Sequence, residues 1–300
     1  MKNGAFRIFR FAGIDVFLHW TWFLIAAYEL RDRGRTYSSP LWNAIEYLSL
    51  FAIVTMHEFG HALACRSVGG RADRIVLWPL GGVAYVEPPQ RPGAVLWSIV
   101  AGPLVNLVLV PVFVAAFYYS RSAGLDHTAP DVYQLIRALM FINIGLFVFN
   151  VLPVYPLDGG QILRALLWFF MGRAQSLMAA SIFGFVGVAG LVGLAVLLAS
   201  PWMGIIAFFA GSQCLAGFRQ ARALSQLSRI PRRPGFACPS CHAAPPAIPC
   251  WGCDNCRFVF DTFETGAACP RCGKPFDVTS CIDCGAAHPF AAWRTPPLAG

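Results

Sequence analysis

Residues 56–65 read MHEFGHALAC. In a helix, His57 and His61 fall one turn apart on one face, so both imidazoles can reach a single ion. Glu58 is offset by one residue, which suits a base that reaches water at the metal without being a ligand. The run ends an apolar stretch, 41–64. An acid at mid-bilayer costs on the order of 3 kcal/mol by insertion scales, so such residues line a polar cavity or they do not persist. HExxH is a short pattern, and a metal-free hydrogen-bond cluster between helices is its other reading.

The surroundings place this motif in a membrane. Of 300 residues, 57% are hydrophobic and 13% charged, with a mean hydropathy of +0.57, whereas soluble domains carry about 25% charged residues. Six apolar stretches are expected as spans, at 14–30, 41–64, 95–119, 135–154, 177–199 and 202–218. Most match the about 20 residues that cross a hydrocarbon core as helix, and for the short first and last a buried soluble helix is the alternative. The charged start with Lys2, Arg7 and Arg10 is not followed by a small-residue cleavage site, so the N-terminus is expected to remain.

With that end inside, Arg66, Arg71, Arg74, Arg91, Arg164, Arg173 and Arg219 fall on the inner side, against Arg31, Arg33, Arg35, Arg121 and Arg137 outside. The positive-inside rule then puts both termini in the cytoplasm. The net charge of +8 is mostly this topology signal, and no nucleic-acid partner is expected.

A catalytic zinc site keeps three protein ligands and one open position, so a further ligand must come from elsewhere. Asp158, in NVLPVYPLDGG at 150–160, ends the fourth stretch on the same side as the histidines. Pro153 and Pro156 interrupt helix there, and Gly159 and Gly160 permit unusual backbone, so the carboxylate can turn toward a metal. A helix terminus capped by Asp158 is the competing reading.

Near residue 219 the apolar pattern stops, giving a membrane domain over 1–220, a basic proline-containing connector over 221–236 and a tail over 237–300. Tail cysteines come as CxxC pairs: Cys238 and Cys241, Cys253 and Cys256, Cys269 and Cys272, Cys281 and Cys284, with Cys250 left over. A cytoplasmic tail favours metal over disulfides, and four pairs make two tetrahedral zinc sites. The segment CDNCRFVFDTFETGAACPRCGKPF, 253–276, reads as a ribbon closing one site from its own two pairs, the outer pairs closing the second. A sequential pairing stays open, as does a part for Cys250. So small a module takes much of its folding energy from metal.

HEFGH in one span and NVLPVYPLDGG in a later one resemble the site-2 protease family of intramembrane metalloproteases, in particular the compact subgroup related to the sporulation-factor protease of bacilli. The resemblance covers residues 8–220 and extends to AGPLVN at 101–106 and WPLGGVAY at 78–85. It implies zinc held by His57, His61 and Asp158, Glu58 as acid and base, and Asn150 contacting substrate or the oxyanion; hydrogen bonding between helices is the other role for Asn150. It also implies a short membrane-associated hairpin over 75–86, whose edge, at Gly81 and Gly82, pairs with unwound substrate; a plain turn is the alternative. A PDZ insertion and a nucleotide-sensing domain, known from better-studied relatives, are not expected, and the zinc-ribbon tail stands in their place.

The fold class expected is thus an all-α polytopic membrane protein of about six transmembrane helices with one short β-hairpin, plus a small β-rich zinc-ribbon domain. The function expected is a zinc endopeptidase of a bacterial inner membrane that cuts membrane-anchored proteins within or near their spans. Its partners would be a transmembrane substrate, membrane lipid and a regulator bound through the tail. An inactive protease-like scaffold and a metal transporter or sensor are the alternatives; Gln in place of Glu58 separates them. His19, beside Trp20 and Trp22, reads as an interfacial belt residue, Asn106 and Asn143 as span packing, and Gly184, Gly187, Gly190 and Gly193 as a close helix contact.

Overall fold

The structure, a computed structural model, describes residues 4–23, 37–78, 81–228 and 230–294. The chain divides into two compact units, Met1–Phe218 and Arg219–Gly300.

The first unit opens with strands β1 (Ala5–Phe11) and β2 (Ile14–His19), joined through Ala12 and Gly13 at φ 48° and 73°. Two consecutive positive φ values make the tight hairpin turn that suits the twist of paired strands. Helix α1 (Pro40–Ser67) follows, its first turn capped by Ser39, which accepts from the Leu41 N–H, with Pro40 where a missing N–H costs nothing. Strands β3 (Arg71–Trp78) and β4 (Gly81–Glu87) complete one sheet in the order β1-β2-β3-β4. β2 and β3 run parallel, Asp15 facing Arg74 and Leu18 facing Leu77, while the outer pairs are antiparallel.

Ile14, Val16, Ala72, Ile75 and Leu77 form one buried cluster with Val54, Ala62 and Cys65 of α1. The sheet therefore packs on the half of α1 that carries the histidines. Helices α2 (Pro92–Ser122), α3 (Leu125–Thr128), α4 (Pro130–Val151), α5 (Asp158–Leu197) and α6 (Pro201–Ser228) follow. α1 and α2 approach closely at Gly60, where a Cβ would lie 2.6 Å from the Ala101 carbonyl oxygen. α5 is two helices, 158–171 and 173–197, broken at Gly172 with φ 78° and ψ 170°.

Among the described residues, α1, α2, α4 and α5 are long and apolar enough to cross a membrane. The expected all-α architecture is corrected in one respect: residues 14–19 of the expected first span are not helix but the second strand of a four-stranded sheet. A short apolar run fits a buried strand as well as a helix, and here a strand on either side satisfies its backbone. Residues 24–30 of that stretch lie outside the described residues. The hairpin expected over 75–86 is the β3–β4 half of this larger sheet. The stretch 202–218 lies within α6.

In the second unit, residues 221–236, expected as a connector, are helical to Ser228 and bonded into the tail from Pro231 onward. The Ala247 N–H donates to the Pro231 carbonyl and that of Arg233 to Pro245, both at 2.8 Å. Arg232 forks onto Asp283 at 2.6 and 3.0 Å, and Arg233 meets the buried Asp261 at 2.6 Å. Two small sheets, β5 (Trp251–Gly252) with β6 (Val259–Phe260) and β7 (Val278–Ser280) with β8 (Ala287–Pro289), flank a core of Phe236, Phe263, Phe290 and Trp293.

Candidate active site

His57 and His61 lie in the C-terminal half of α1, and Asp158 is the first residue of α5. A turn with a cis bond at Tyr155–Pro156 joins α4 to α5. Gly159 and Gly160 let that turn fold back: a Cβ on either would lie 2.3 Å from backbone atoms of the turn, at Leu152 and Tyr155. The Asp158 Oδ2 atom then reaches both histidines, 3.0 Å from His57 Nε2 and 3.2 Å from His61 Nε2, which are 3.1 Å from each other. All three residues are buried or nearly so.

What lies between these atoms follows from the groups behind the rings. Asn143 Nδ2 donates to the Asn106 backbone oxygen at 3.0 Å, so the Asn143 Oδ1 atom faces, and accepts from, Asn106 Nδ2 at 2.9 Å. Asn106 must then offer Oδ1 to His57 Nδ1, 2.6 Å away, which fixes the proton on that nitrogen. His61 Nδ1 meets the Ser98 carbonyl oxygen at 2.9 Å, which can only accept. Both rings are thereby set with Nδ1–H outward and a lone pair on Nε2.

Two such lone pairs and a carboxylate oxygen, packed within 3.2 Å without a proton to share, repel one another unless a cation sits among them. Zinc at about 2.0–2.2 Å from each ligand would set their separations near about 3.3 Å, so the donor set fits that ion. A Cβ on Gly102 would lie 2.3 Å from His61 Nε2 and 2.8 Å from His57 Nε2. Gly102 thus leaves the two ring nitrogens the room that any side chain there would take.

Glu58 points to the sheet side of this cluster. Its Oε2 accepts from the Ala84 N–H at 2.8 Å, and a Cβ on Gly82 would strike its carboxylate at 2.5 Å or less. Because Ala84 spends its N–H on Glu58, that part of β4 turns its donor away from β3, at the free edge of the sheet. Gly81 starts β4 opposite Trp78. Asn150 sits in the last turn of α4, half-buried, and no hydrogen bond joins it to the cluster among the described residues. His19 stacks on Trp78 with centroids 4.0 Å apart and bonds Thr21, so it takes no part. Sequence reasoning assigned Asn106 and Asn143 only to packing and passed over Ser98, Ala84 and Gly102. Polar residues in the middle of an apolar span were the available signal.

In the tail, Cys253, Cys256, Cys269 and Cys272 converge, as do Cys238, Cys241, Cys281 and Cys284. These groupings join the first CxxC pair to the fourth and the second to the third. Closest sulfur pairs are 3.6 to 3.7 Å apart, far from the about 2.05 Å of a disulfide and close to the about 3.75 Å edge of a tetrahedron with Zn–S bonds of about 2.3 Å. Each pair is built the same way. The first cysteine's N–H donates to the carbonyl five residues on, at Ala243, Phe258, Lys274 or Ala286, and its carbonyl accepts from the N–H four residues on. That fourth residue, His242, Arg257, Gly273 or Gly285, has a positive φ. Cys250 stands apart, and burial together with Asp261 pushes its thiol up to about 11, so it stays protonated at neutral pH.

A zinc metalloprotease of Methanocaldococcus jannaschii is 34% identical over 169 residues, 55% of this chain and 46% of that protein. Stage IV sporulation protein FB of Bacillus subtilis is 35% identical over 121 residues, 39% of this chain and 38% of its own length. The chain thus spans less than half of each. A solved structure, the site-2 protease from Methanocaldococcus jannaschii, superposes with a TM-score of 0.52 at 24% identity, over 71% of this chain and 95% of that one, which shows a shared fold. The model of Peptidase family M50 matches residues 45–130 and 122–194. That match takes in half of the chain and both segments that bring His57, His61 and Asp158 together, and on it the protein belongs to peptidase family M50.

Proposed function

We propose that the protein is an intramembrane zinc endopeptidase that hydrolyses peptide bonds of membrane-anchored proteins within or near their spans. The observation that carries this reading is the meeting of His57 Nε2, His61 Nε2 and Asp158 Oδ2, from positions a hundred residues apart, with both Nδ1 protons already committed elsewhere.

Zinc, when bound, supplies a Lewis acid that polarises the scissile carbonyl and lets water give up a proton near neutral pH. Glu58 takes that proton and passes it to the leaving amine, base becoming acid as the bond breaks. The Ala84 N–H holds its carboxylate in the bridging position between strand and metal site. Gly82 gives the carboxylate room.

A transmembrane substrate hides its peptide bonds in its own helix and must unwind first. The outward edge of β4 around Gly81 and Gly82 offers that extended segment a strand to pair with, beside the Glu58 carboxylate. Asn150, at the end of α4, is proposed to meet the substrate or its developing oxyanion. The protein would lie in a bacterial inner membrane with α1, α2, α4 and α5 among its crossings and both termini cytoplasmic, a reading supported by the inward excess of arginine. The two cysteine clusters are proposed to hold structural zinc and to present the tail to a regulatory partner.

The test is Glu58→Gln in the full-length chain, assayed on a membrane-anchored reporter. Loss of general acid–base catalysis lowers cleavage by about 10²–10⁴-fold, while zinc at the site stays. A scaffold shows no cleavage in either form, and a transporter moves metal equally well in both; either result rejects the protease. Asp158→Ala should release the membrane zinc but leave the tail zinc in place.

A further inference from the structure

Tyr155 stands three residues before Asp158, in the turn that brings that carboxylate to the histidines, and three helical segments close around it. A Cβ on Gly160, in the first segment of α5, would lie 2.3 Å from the Tyr155 amide nitrogen. One on Gly184, in the second segment, would lie 3.0 Å from Tyr155 Cβ, and one on Gly217 of α6 would lie 3.0 Å from Cε1 of its ring. Cys214, also on α6, donates its S–H to the Tyr155 carbonyl oxygen. These contacts run through the backbone, the Cβ and the ring, and not through the hydroxyl.

Between Tyr155 and Asp158 the chain has little slack. The Leu157 N–H donates to the Val154 carbonyl at 2.9 Å, and Gln161 ties back twice, through its N–H to the Leu157 carbonyl at 3.1 Å and through Nε2 to the Pro156 carbonyl at 3.2 Å. Close-packed groups pass a displacement on because no void absorbs it. A shift of Tyr155 therefore moves Asp158, whose Oδ2 sits 3.0 and 3.2 Å from two ring nitrogens.

Among the described residues, α6 supplies none of the groups that converge at the membrane metal site. Its Cys214 and Gly217 nonetheless meet the one residue that three segments hold in place. We propose that Tyr155 is a positioning residue for Asp158, seated by Gly184, Cys214 and Gly217, so that α6 sets the affinity of a metal site to which it gives no ligand. This role presupposes the zinc of the proposed protease: were the native chain to hold no ion at His57 and His61, that function would fall with it, whereas unchanged affinity in the variants below removes the role of Tyr155 alone.

The full-length chain is titrated with zinc against a chelator of known affinity, and cleavage of a membrane-anchored reporter is followed at limiting and at saturating zinc. Tyr155→Ala should weaken the membrane site about 10–100-fold, the range for loss of an outer partner, and leave the tail clusters unchanged. Saturating zinc should restore kcat with KM for the reporter unaltered, because Asp158 itself is still present. Tyr155→Phe should bind zinc like the native chain. Gly217→Val should also weaken the site, but added to Tyr155→Ala it should do less than the two separate effects combined, since the missing ring leaves it room. Should these variants fold poorly, Cys214 decides: Cys214→Ala removes the donor to the Tyr155 carbonyl and should weaken the site, whereas Cys214→Ser keeps a donor and should restore it. Native affinity in Tyr155→Ala, or in Cys214→Ala where that pair decides, overturns the proposal. So does activity that saturating zinc fails to restore, which would make the residue merely structural, or a raised KM at native zinc affinity, which would make it a substrate contact.

Discussion

Asn106 acts on the metal cluster only through His57, yet it decides which imidazole nitrogen carries the proton. The bond from Nδ1 to Asn106 Oδ1 leaves the lone pair on Nε2, facing Asp158. In Asn106→Ala that N–H is left unpaired in a buried site and the ring is free to swing. Loss of such an outer partner typically weakens a metal site by about 10–100-fold. Competition against a chelator of known affinity should show that weakening at the membrane site alone, and Asn143→Ala, one bond further out, should show a smaller one. An Asn106→Ala protein that held zinc as tightly as the native chain would mean the tautomer is fixed some other way. The residues of the cluster were legible because their spacing is local, as with His57 and His61, or because they stand in a turn sequence as conspicuous as PLDGG. Their supporting partners were not, since the Ser98 carbonyl and the Ala84 N–H are backbone groups that any residue carries.

At the scale of elements, the same contrast separates helices from sheet. Long apolar runs announced α1, α2, α4 and the second segment of α5, while Ile14–His19 suits either element because its four apolar residues, Ile14, Val16, Phe17 and Leu18, satisfy either period. Its parallel partner β3 lies more than fifty residues away, beyond any local signal. The glycine stripe on α5 splits in a way only packing reveals. A Cβ on Gly184 would lie 2.6 Å from Cys214 Sγ, and one on Gly187 would lie 2.5 Å from Val154 Cγ2, in the turn that leads to Asp158. Gly190 and Gly193 meet nothing within 4 Å. Gly187→Val should therefore overpack the turn, destabilising the protein by about 1–3 kcal/mol and loosening the membrane zinc with it. Gly193→Val should stay within about 0.5 kcal/mol of the native protein. Thermal melts read beside zinc retention would reveal the difference, and equal melting of the two variants would remove the turn's dependence on close helix approach.

For the whole molecule, the two units hold their metal by different physics. In the membrane unit the donors sit on helices and a turn held in place by apolar packing, so the ion adds to a frame that burial already builds. The tail has only short strands and a small aromatic core, and its four matching knuckles place eight thiols where they tolerate one another poorly without metal. Zinc should thus come to three ions per chain, measured by elemental analysis of the purified protein. Glu58→Gln should keep three, Asp158→Ala should keep two, and Cys253→Ser should lose a tail ion. The decisive contrast is in folding. With Cys253→Ser, or after a strong chelator, limited proteolysis should cut within 231–294, whereas Asp158→Ala should leave both units resistant. If the tail withstood protease with its zinc removed, the aromatic core and the Arg232–Asp283 and Arg233–Asp261 pairs would suffice to fold it, and metal would be an addition to that module instead of its frame.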